Sequence, residues 1–104
     1  FFDELSRRHG DYALAGLAAR ASITGNRLSE IRLVFFGVED RPLRAKATEA
    51  ALEKADATAA EAALEVDLDP IDDPQTSSAA RRQFTRVLLR RAVDIWLPKG
   101  ANDE

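Results

Sequence analysis

Between Tyr12 and Ile23 the odd positions Ala13, Ala15, Leu17, Ala19, Ala21 and Ile23 are all apolar, whereas the even ones include Arg20 and Ser22. A period of two predicts a strand with one buried face. Gly25-Asn26 suits the positive backbone angles of a tight turn, and Leu28 to Val38 then sets Ile31, Leu33 and Phe35 against Glu30 and Arg32. The pattern therefore predicts a long antiparallel hairpin. Ahead of it, Phe2, Leu5 and Phe1 stand three or four apart among polar residues, which predicts a short amphipathic helix ending near Gly10. The segment Arg7-Arg8-His9-Gly10-Asp11 would be the loop into the first strand of the hairpin. Pro42 confines Pro42 to Ala45 to a short extended stretch at a sheet edge or in a connection.

Beyond Ala45 the residues change to alanine, leucine and glutamate, the composition of helices. Two short helices fit: one from about Lys46 to Lys54, and a second opening with Asp56 as N-cap or with the box-like pair Thr58 and Glu61. Asp67 to Pro74 reads as a loop, because its prolines remove donors and push the residues before them towards extended conformations. Ser77 or Ser78 can cap the last helix. It should run to about Leu97, before Pro98, with Ala80, Phe84, Val87, Leu88, Ala92, Ile95 and Trp96 along its apolar stripe. Strands come first and helices after, which predicts an α+β sandwich: an antiparallel sheet of three to four strands followed by about three helices packed on one face.

At 104 residues the chain suits one domain, 1–104, with residues 99–104 as a frayed tail. Beginning Phe1-Phe2-Asp3 and lacking methionine, it reads as a fragment of something larger. The absence of cysteine removes disulfides, thiolate nucleophiles, iron–sulfur ligation and zinc-thiolate sites from this chain, and makes the cytoplasm the default location. No apolar run reaches the ~20 residues of a membrane helix. Net charge is −3, distributed as +1 over residues 1–38, −7 over 39–73 and +3 over 74–104. Two oppositely charged parts of one domain, or of two subunits, would neutralise each other, and this is favoured over a nucleic-acid face.

The candidate chemistry is sparse. Serine, histidine and acid are present, but no strand–turn–helix G-x-S-x-G elbow is, which disfavours a hydrolytic triad; His9, the sole histidine, stands beside two arginines that disfavour its protonated form, reads as a solvent-facing loop residue and alone makes no metal site. Asp67, Asp69, Asp72 and Asp73 resemble a calcium loop only until the spacing is tried: Asp72 falls where the loop wants glycine and Ser78 where it wants glutamate. A solvated acidic loop is the better reading. Arg82, Arg86 and Arg90 share a face of the last helix, with Asp94 spaced to pair with Arg90. Phosphate binding through that face is the lesser reading, and an acidic neighbour the plainer one. Gly16 and Gly37 fall inside strands, where glycine marks a bulge or a close approach; a bulge is favoured. The scattered glycines make no phosphate-cradling loop, so this chain alone should not hold FAD.

Three segments resemble the C-terminal domain of the FAD-binding subunit of molybdenum hydroxylases of the carbon monoxide and xanthine dehydrogenase type. Phe2-Asp3-Glu4-Leu5-Ser6-Arg7-Arg8-His9-Gly10-Asp11-Tyr12-Ala13-Leu14-Ala15-Gly16-Leu17-Ala18-Ala19 is similar to the family's R-x-G-D-[FY]-A-x-x-G-x-A run, its most specific motif. Phe36-Gly37-Val38-Glu39-Asp40-Arg41-Pro42-Leu43-Arg44-Ala45 resembles G-G-V-x-x-x-P-x-R-A, with Phe36 in place of the first glycine. Arg81-Arg82-Gln83-Phe84 through Val87-Leu88-Leu89-Arg90-Arg91-Ala92 resembles the final helix, with Ala80 where a tyrosine commonly stands. The resemblance implies an accessory domain of an electron-transfer flavoprotein. FAD would be held mainly by preceding domains of the same subunit, with molybdenum cofactor and iron–sulfur clusters on partner subunits. It also implies that the segment holding Arg8, His9, Asp11 and Tyr12 lies near the flavin, while a lysine used by animal members falls on Asp3 and is not carried over. The fragment itself would carry no complete active site, with no catalytic or metal-binding residue. The rival reading is a non-enzymatic protein-interaction or nucleic-acid-binding module using the arginine-rich last helix.

Overall fold

The structure, a computed structural model, describes residues 1–5, 15–54, 56–70 and 77–97. Alternation in the two long apolar segments produces β2 (Ala15–Thr24) and β3 (Arg27–Phe36), joined at Gly25, whose φ of 63° lies in the left-handed region a tight turn needs. They pair antiparallel, with Gly16 opposite Phe36 and Arg20 opposite Arg32. Nearer the turn, Ser22 meets Ser29, so β3 spends one more residue than β2. That bulge is at Glu30, a non-glycine residue with φ 52°. It explains why both Leu28 and Ile31 are buried although they stand three positions apart.

The first segment is not the predicted helix. Phe2–Leu5 is a strand, β1, antiparallel to β2 with Phe2 opposite Ala18 and Leu5 opposite Ala15. Four residues cannot offset the cost of nucleating a helix, whereas the unpaired edge of β2 offers ladder bonds at once. Phe1 prolongs the pairing: its carbonyl accepts from the Ala19 N–H at 2.8 Å. On the other side β4 (Leu43–Arg44) pairs with β3, as Pro42 foretold, and completes a four-stranded sheet in the order β1-β2-β3-β4.

Three helices follow: α1 (Lys46–Glu53), α2 (Ala57–Asp67) and α3 (Ser78–Trp96). α1 packs against β3 and α3 against β2, while α2 contacts both other helices. Leu17, Ile31, Leu33 and Phe35 from the sheet meet Leu52, Leu64, Leu88 and Leu89 in a single core. Each such side chain contributes about 1.5–3 kcal/mol by leaving water. Ala45, Ala60 and Ala92, all fully buried, let the backbones approach closely. The buried stripe of α3 is rotated from the predicted one. It comprises Arg81, Thr85, Leu88, Leu89 and Ala92, while Ile95 is 64% exposed. Polar residues can lie on that stripe because their groups are satisfied: the Thr85 hydroxyl donates to the Arg82 carbonyl and Arg81 Nε to the Gly37 carbonyl. The α+β sandwich is as predicted.

Gly16 sits in no bulge. A Cβ at this position would lie 2.1 Å from Cζ of Phe36, whose ring covers the glycine and stacks on Phe2 with centroids 5.5 Å apart. Gly37, just beyond β3, has φ 77°, a turn conformation. Gly16→Ala should therefore displace the Phe36 ring and cost about 1 kcal/mol through the lost aromatic contact. In a Phe36→Ala background the same change should be neutral or stabilising, because alanine is preferred to glycine in a strand. Urea unfolding of the four chains of this double-mutant cycle measures the coupling; equal costs in both backgrounds would remove the proposed reason for glycine.

Candidate functional site

The three motif segments converge at one end of the sheet. Leu5 and Ala15, the residues flanking the connection between β1 and β2, are register partners. Next to Ala15, Gly16 lies under Phe36, and beyond Phe36 the Gly37 carbonyl accepts from buried Arg81 of α3. Thus the first motif touches the second through a ring on a glycine, and the second touches the third through a guanidinium on a carbonyl. The sequence-predicted site residues Arg8, His9, Asp11 and Tyr12 belong to the connection itself, residues 6–14, and lie outside the described residues. So do Asp72, Asp73 and the predicted tail 99–104.

Several charged side chains of the domain are committed to the fold. Glu49 of α1, only 4% exposed, accepts from the Leu33 N–H of β3 at 2.9 Å and receives Arg44 of β4 through both carboxylate oxygens. Burial works against its ionisation, but the bonds from Arg44 and the Leu33 N–H prevail and hold its pKa below the ordinary value. Asp67, expected in a solvated loop, is the last residue of α2. Its carboxylate accepts from the Ala47 and Thr48 N–H groups and the Thr48 hydroxyl, supplying the cap that Ala45 lacks. Asp56 and Ser77 cap α2 and α3 by accepting from the Ala59 and Ala80 N–H groups.

The arginine face of α3 meets its acidic neighbour within the chain. Arg82 and Arg86 share Glu65, and Arg90 takes Glu61 in a two-point contact. Arg90 therefore reaches across to α2, and not along its own helix to Asp94. Arg91 bonds Asp3 of β1 at 2.7 Å, tying the two ends of the domain together. The bonds from Arg90 and Arg91 hold Glu61 and Asp3 below their ordinary pKa values.

FAD would need a phosphate-binding feature, and the helix N-termini are the natural places to seek one. Asp67 and Asp56 bring carboxylates to two of them and the Ser77 hydroxyl occupies the third. These helix N-termini do not fit the pyrophosphate of FAD. Nor do they contain a cluster of three or more His, Cys, Asp or Glu residues able to hold a metal ion. None of the described helices is long and apolar enough to cross a membrane. Sequence reasoning did not single out Glu49 or the capping role of Asp67. Arg44 five positions before Glu49 was the one local sign of the first, and the second joins residues 19 or more positions apart.

The arrangement defines a small domain in which one sheet face is covered by helices and no complete catalytic constellation is present among the described residues. The chain belongs to the family described as the CO dehydrogenase flavoprotein C-terminal domain, which matches residues 1–95. It is 33% identical over 96 residues to the glyceraldehyde dehydrogenase medium chain of Sulfolobus acidocaldarius, covering 88% of this chain and 34% of that one. To the alpha subunit of the 6-hydroxypseudooxynicotine dehydrogenase complex of Paenarthrobacter nicotinovorans it is 32% identical, with 88% and 33% covered. Among solved structures, carbon monoxide dehydrogenase from Hydrogenophaga pseudoflava superposes with a TM-score of 0.81 at 29% identity, covering 92% of this chain and 35% of that one. Quinoline 2-oxidoreductase from Pseudomonas putida 86 gives 0.78 at 29% identity with the same coverage. The chain spans about a third of the length of these relatives.

Acidification should expose the role of the three depressed carboxylates. A carboxyl whose folded pKa lies below its unfolded value stabilises the fold fully above the unfolded value, and that contribution disappears as pH falls through the folded one. For Glu49 the loss therefore begins below its ordinary value of 4.5. Glu49→Gln should cost about 1.5–3 kcal/mol at pH 7, the range for hydrogen bonds to a charged group. The gap from the unaltered chain should close as pH is lowered towards 3. Urea midpoints measured from pH 7 to pH 3 test this; a gap independent of pH would mean that ionised Glu49 is not the stabilising form.

Proposed function

We propose that this chain is the C-terminal accessory domain of an FAD-binding subunit that passes electrons from a molybdenum and iron–sulfur hydroxylase complex to an acceptor. The observation that carries the reading is the meeting of the three family motifs at one end of the sheet, around the anchors of the connection holding Arg8, His9, Asp11 and Tyr12. On this reading FAD is held by preceding domains of the subunit, and the Arg8–Tyr12 segment faces the flavin. The lack of fit between the described helix N-termini and a pyrophosphate supports that division of labour. Partner subunits would carry the molybdenum cofactor and the iron–sulfur clusters, in keeping with relatives described as a subunit of a dehydrogenase complex and as a Cu,Mo-CO dehydrogenase. The cytoplasm is the proposed location. The ion pairs of Arg82, Arg86 and Arg90 with Glu61 and Glu65 weigh against a nucleic-acid-binding role for α3.

Two measurements test the assignment. The 104-residue chain, purified with added FAD and passed through gel filtration, should emerge colourless; stoichiometric retained flavin would put the cofactor site in this domain. In the full-length subunit, Arg8→Gln should lower the flavin midpoint potential and Asp11→Asn should raise it, because reduction adds negative charge that a nearby cation favours and an anion opposes. Redox-dye titration at fixed pH, with flavin content and folding checked, reads both shifts. Two unchanged potentials would reduce the segment to a structural connection.

A further inference from the structure

The helices pack on one face of the sheet and leave the other open. Where an antiparallel sheet has one wet face, the residues that point to water are normally polar. Here that alternation breaks down. Register brings Phe2, Gly16, Ala18, Val34 and Phe36 together on the open face, across β1, β2 and β3. The Phe2 and Phe36 rings stack, Phe2 is 66% exposed, and Ala18 lies between Phe2 and Val34. Beside the rings a shallow cavity of about 340 Å³ opens, with Phe1, Phe2, Ala18 and Val34 in its walls. Strands that are apolar on both sides mark a sheet covered on both sides.

Charge does not choose what covers it, because Glu4, Arg20, Arg32 and Arg44 stand around the patch with both signs. Size does. From Phe2 across Ala18 to Val34 is two strand spacings, about 10 Å, and from Gly16 to Arg20 is four residues, about 13 Å. A free partner or a second copy buries about 800 Å² on each side of a stable complex, several times this patch. A body tethered to the chain needs far less, since attachment supplies a roughly millimolar effective concentration. The point of attachment is at the rim of the same face. Phe1 is locked to Ala19 in both directions, its carbonyl accepting the Ala19 N–H and its nitrogen donating to the Ala19 carbonyl, each at 2.8 Å, and it lines the cavity itself. Polypeptide joined ahead of Phe1 would start beside the exposed rings, and this chain spans only about a third of its relatives' length.

We propose that the open face of β1, β2 and β3 is the seat of the part of the same subunit that precedes Phe1, which covers the Phe2–Phe36 stack and lays an apolar side chain into the cavity beside Phe2. The inference rests on the reading of this chain as the C-terminal domain of a longer FAD-binding subunit, and it adds the surface by which the domain is held there. The footprint is the half of the face around Gly16, Ala18 and Phe36. The hairpin tip beyond Arg20, where Ser22 meets Ser29, lies outside it.

Hydroxyl-radical labelling, read residue by residue by mass spectrometry, compares the 104-residue chain with the full-length subunit. Phe2 and Phe36 should be labelled in the short chain and at least about fivefold less in the long one, because the core of an interface excludes water. Val66, 81% exposed on α2, should stay labelled in both. Ala18→Glu places a charge beneath the docked body. In the 104-residue chain it should leave Tm within about 4 °C, the scale of a surface substitution in a domain of this size. In the full-length subunit it should return Phe2 to the labelling of the short chain, whereas Ser22→Glu should leave the protection intact; Val34→Glu gives the same reading if Ala18→Glu does not fold. Equal labelling of Phe2 in the two chains would overturn the proposal, as would protection of Val66 without Phe2, or release by Ser22→Glu and not by Ala18→Glu. Protection that appears only when a molybdenum or iron–sulfur subunit is added would give the surface to another chain, and protection of the short chain that rises with its own concentration would give it to a second copy; either result sinks it. Flavin retained by the 104-residue chain would instead overturn the accessory-domain reading, and the labelling is read separately from that outcome because it requires only the polypeptide ahead of Phe1, with or without its flavin.

Discussion

Glu49 joins the sheet to the helices. β4 is only two residues long, so β3 has more edge than β4 can cover, and an uncovered edge inside a helix layer would leave backbone donors without partners. Ala45 continues the pairing by donating to the Leu33 carbonyl, and Glu49, one turn into α1, then accepts the Leu33 N–H. Because the same carboxylate holds Arg44, the strand end, the turn into α1 and the first turn of that helix move as one piece. A buried charge is tolerable here because its lone pairs are taken by an ionised partner and a backbone donor.

A similar economy governs the helix termini. α2 ends in acidic residues, the wrong sign for the C-terminal end of a helix dipole taken alone. Asp67 meets the N-terminus of α1, and Glu65 and Glu61 meet the arginines of α3, so each misplaced charge serves a neighbouring element. Part of the acidic middle of the chain is thus neutralised by the basic end within the domain.

Family membership and the structure meet at the end of the sheet where Gly16, Phe36, Gly37 and Arg81 are in contact. Phe36 stands where the family pattern has glycine, and it uses the absence of a side chain at position 16 to lie flat across β2 and reach Phe2. The paired arginines of α3 divide their work: Arg81 turns inward to the Gly37 carbonyl and Arg82 outward to Glu65. The two residues that flank the 6–14 connection, Leu5 and Ala15, are register partners at this same end.

What the sequence determined by itself was everything carried by local period and local chemistry. Alternation gave the hairpin, alanine and leucine content the helices, and Pro42 the short edge strand; Asp56 and Ser77 were each one of two candidate helix starts, between which the structure chose, and the motifs gave the family. These signals lie within a few residues of one another, where backbone geometry and side-chain chemistry act without reference to the rest of the chain. The tertiary structure decided what depends on distant partners. Phe2–Leu5 became a strand because β2 offered an edge, and the stripe of α3 turned because Arg81 and Thr85 found acceptors that allowed them inside. Leu28 returned to the core because a bulge at Glu30 shifted the phase. Asp67 became a cap and Glu49 an edge partner only when α1 lay beside α2 and β3. No local pattern encodes those outcomes, since each is the satisfaction of a polar group or an edge by a residue brought near only by the fold.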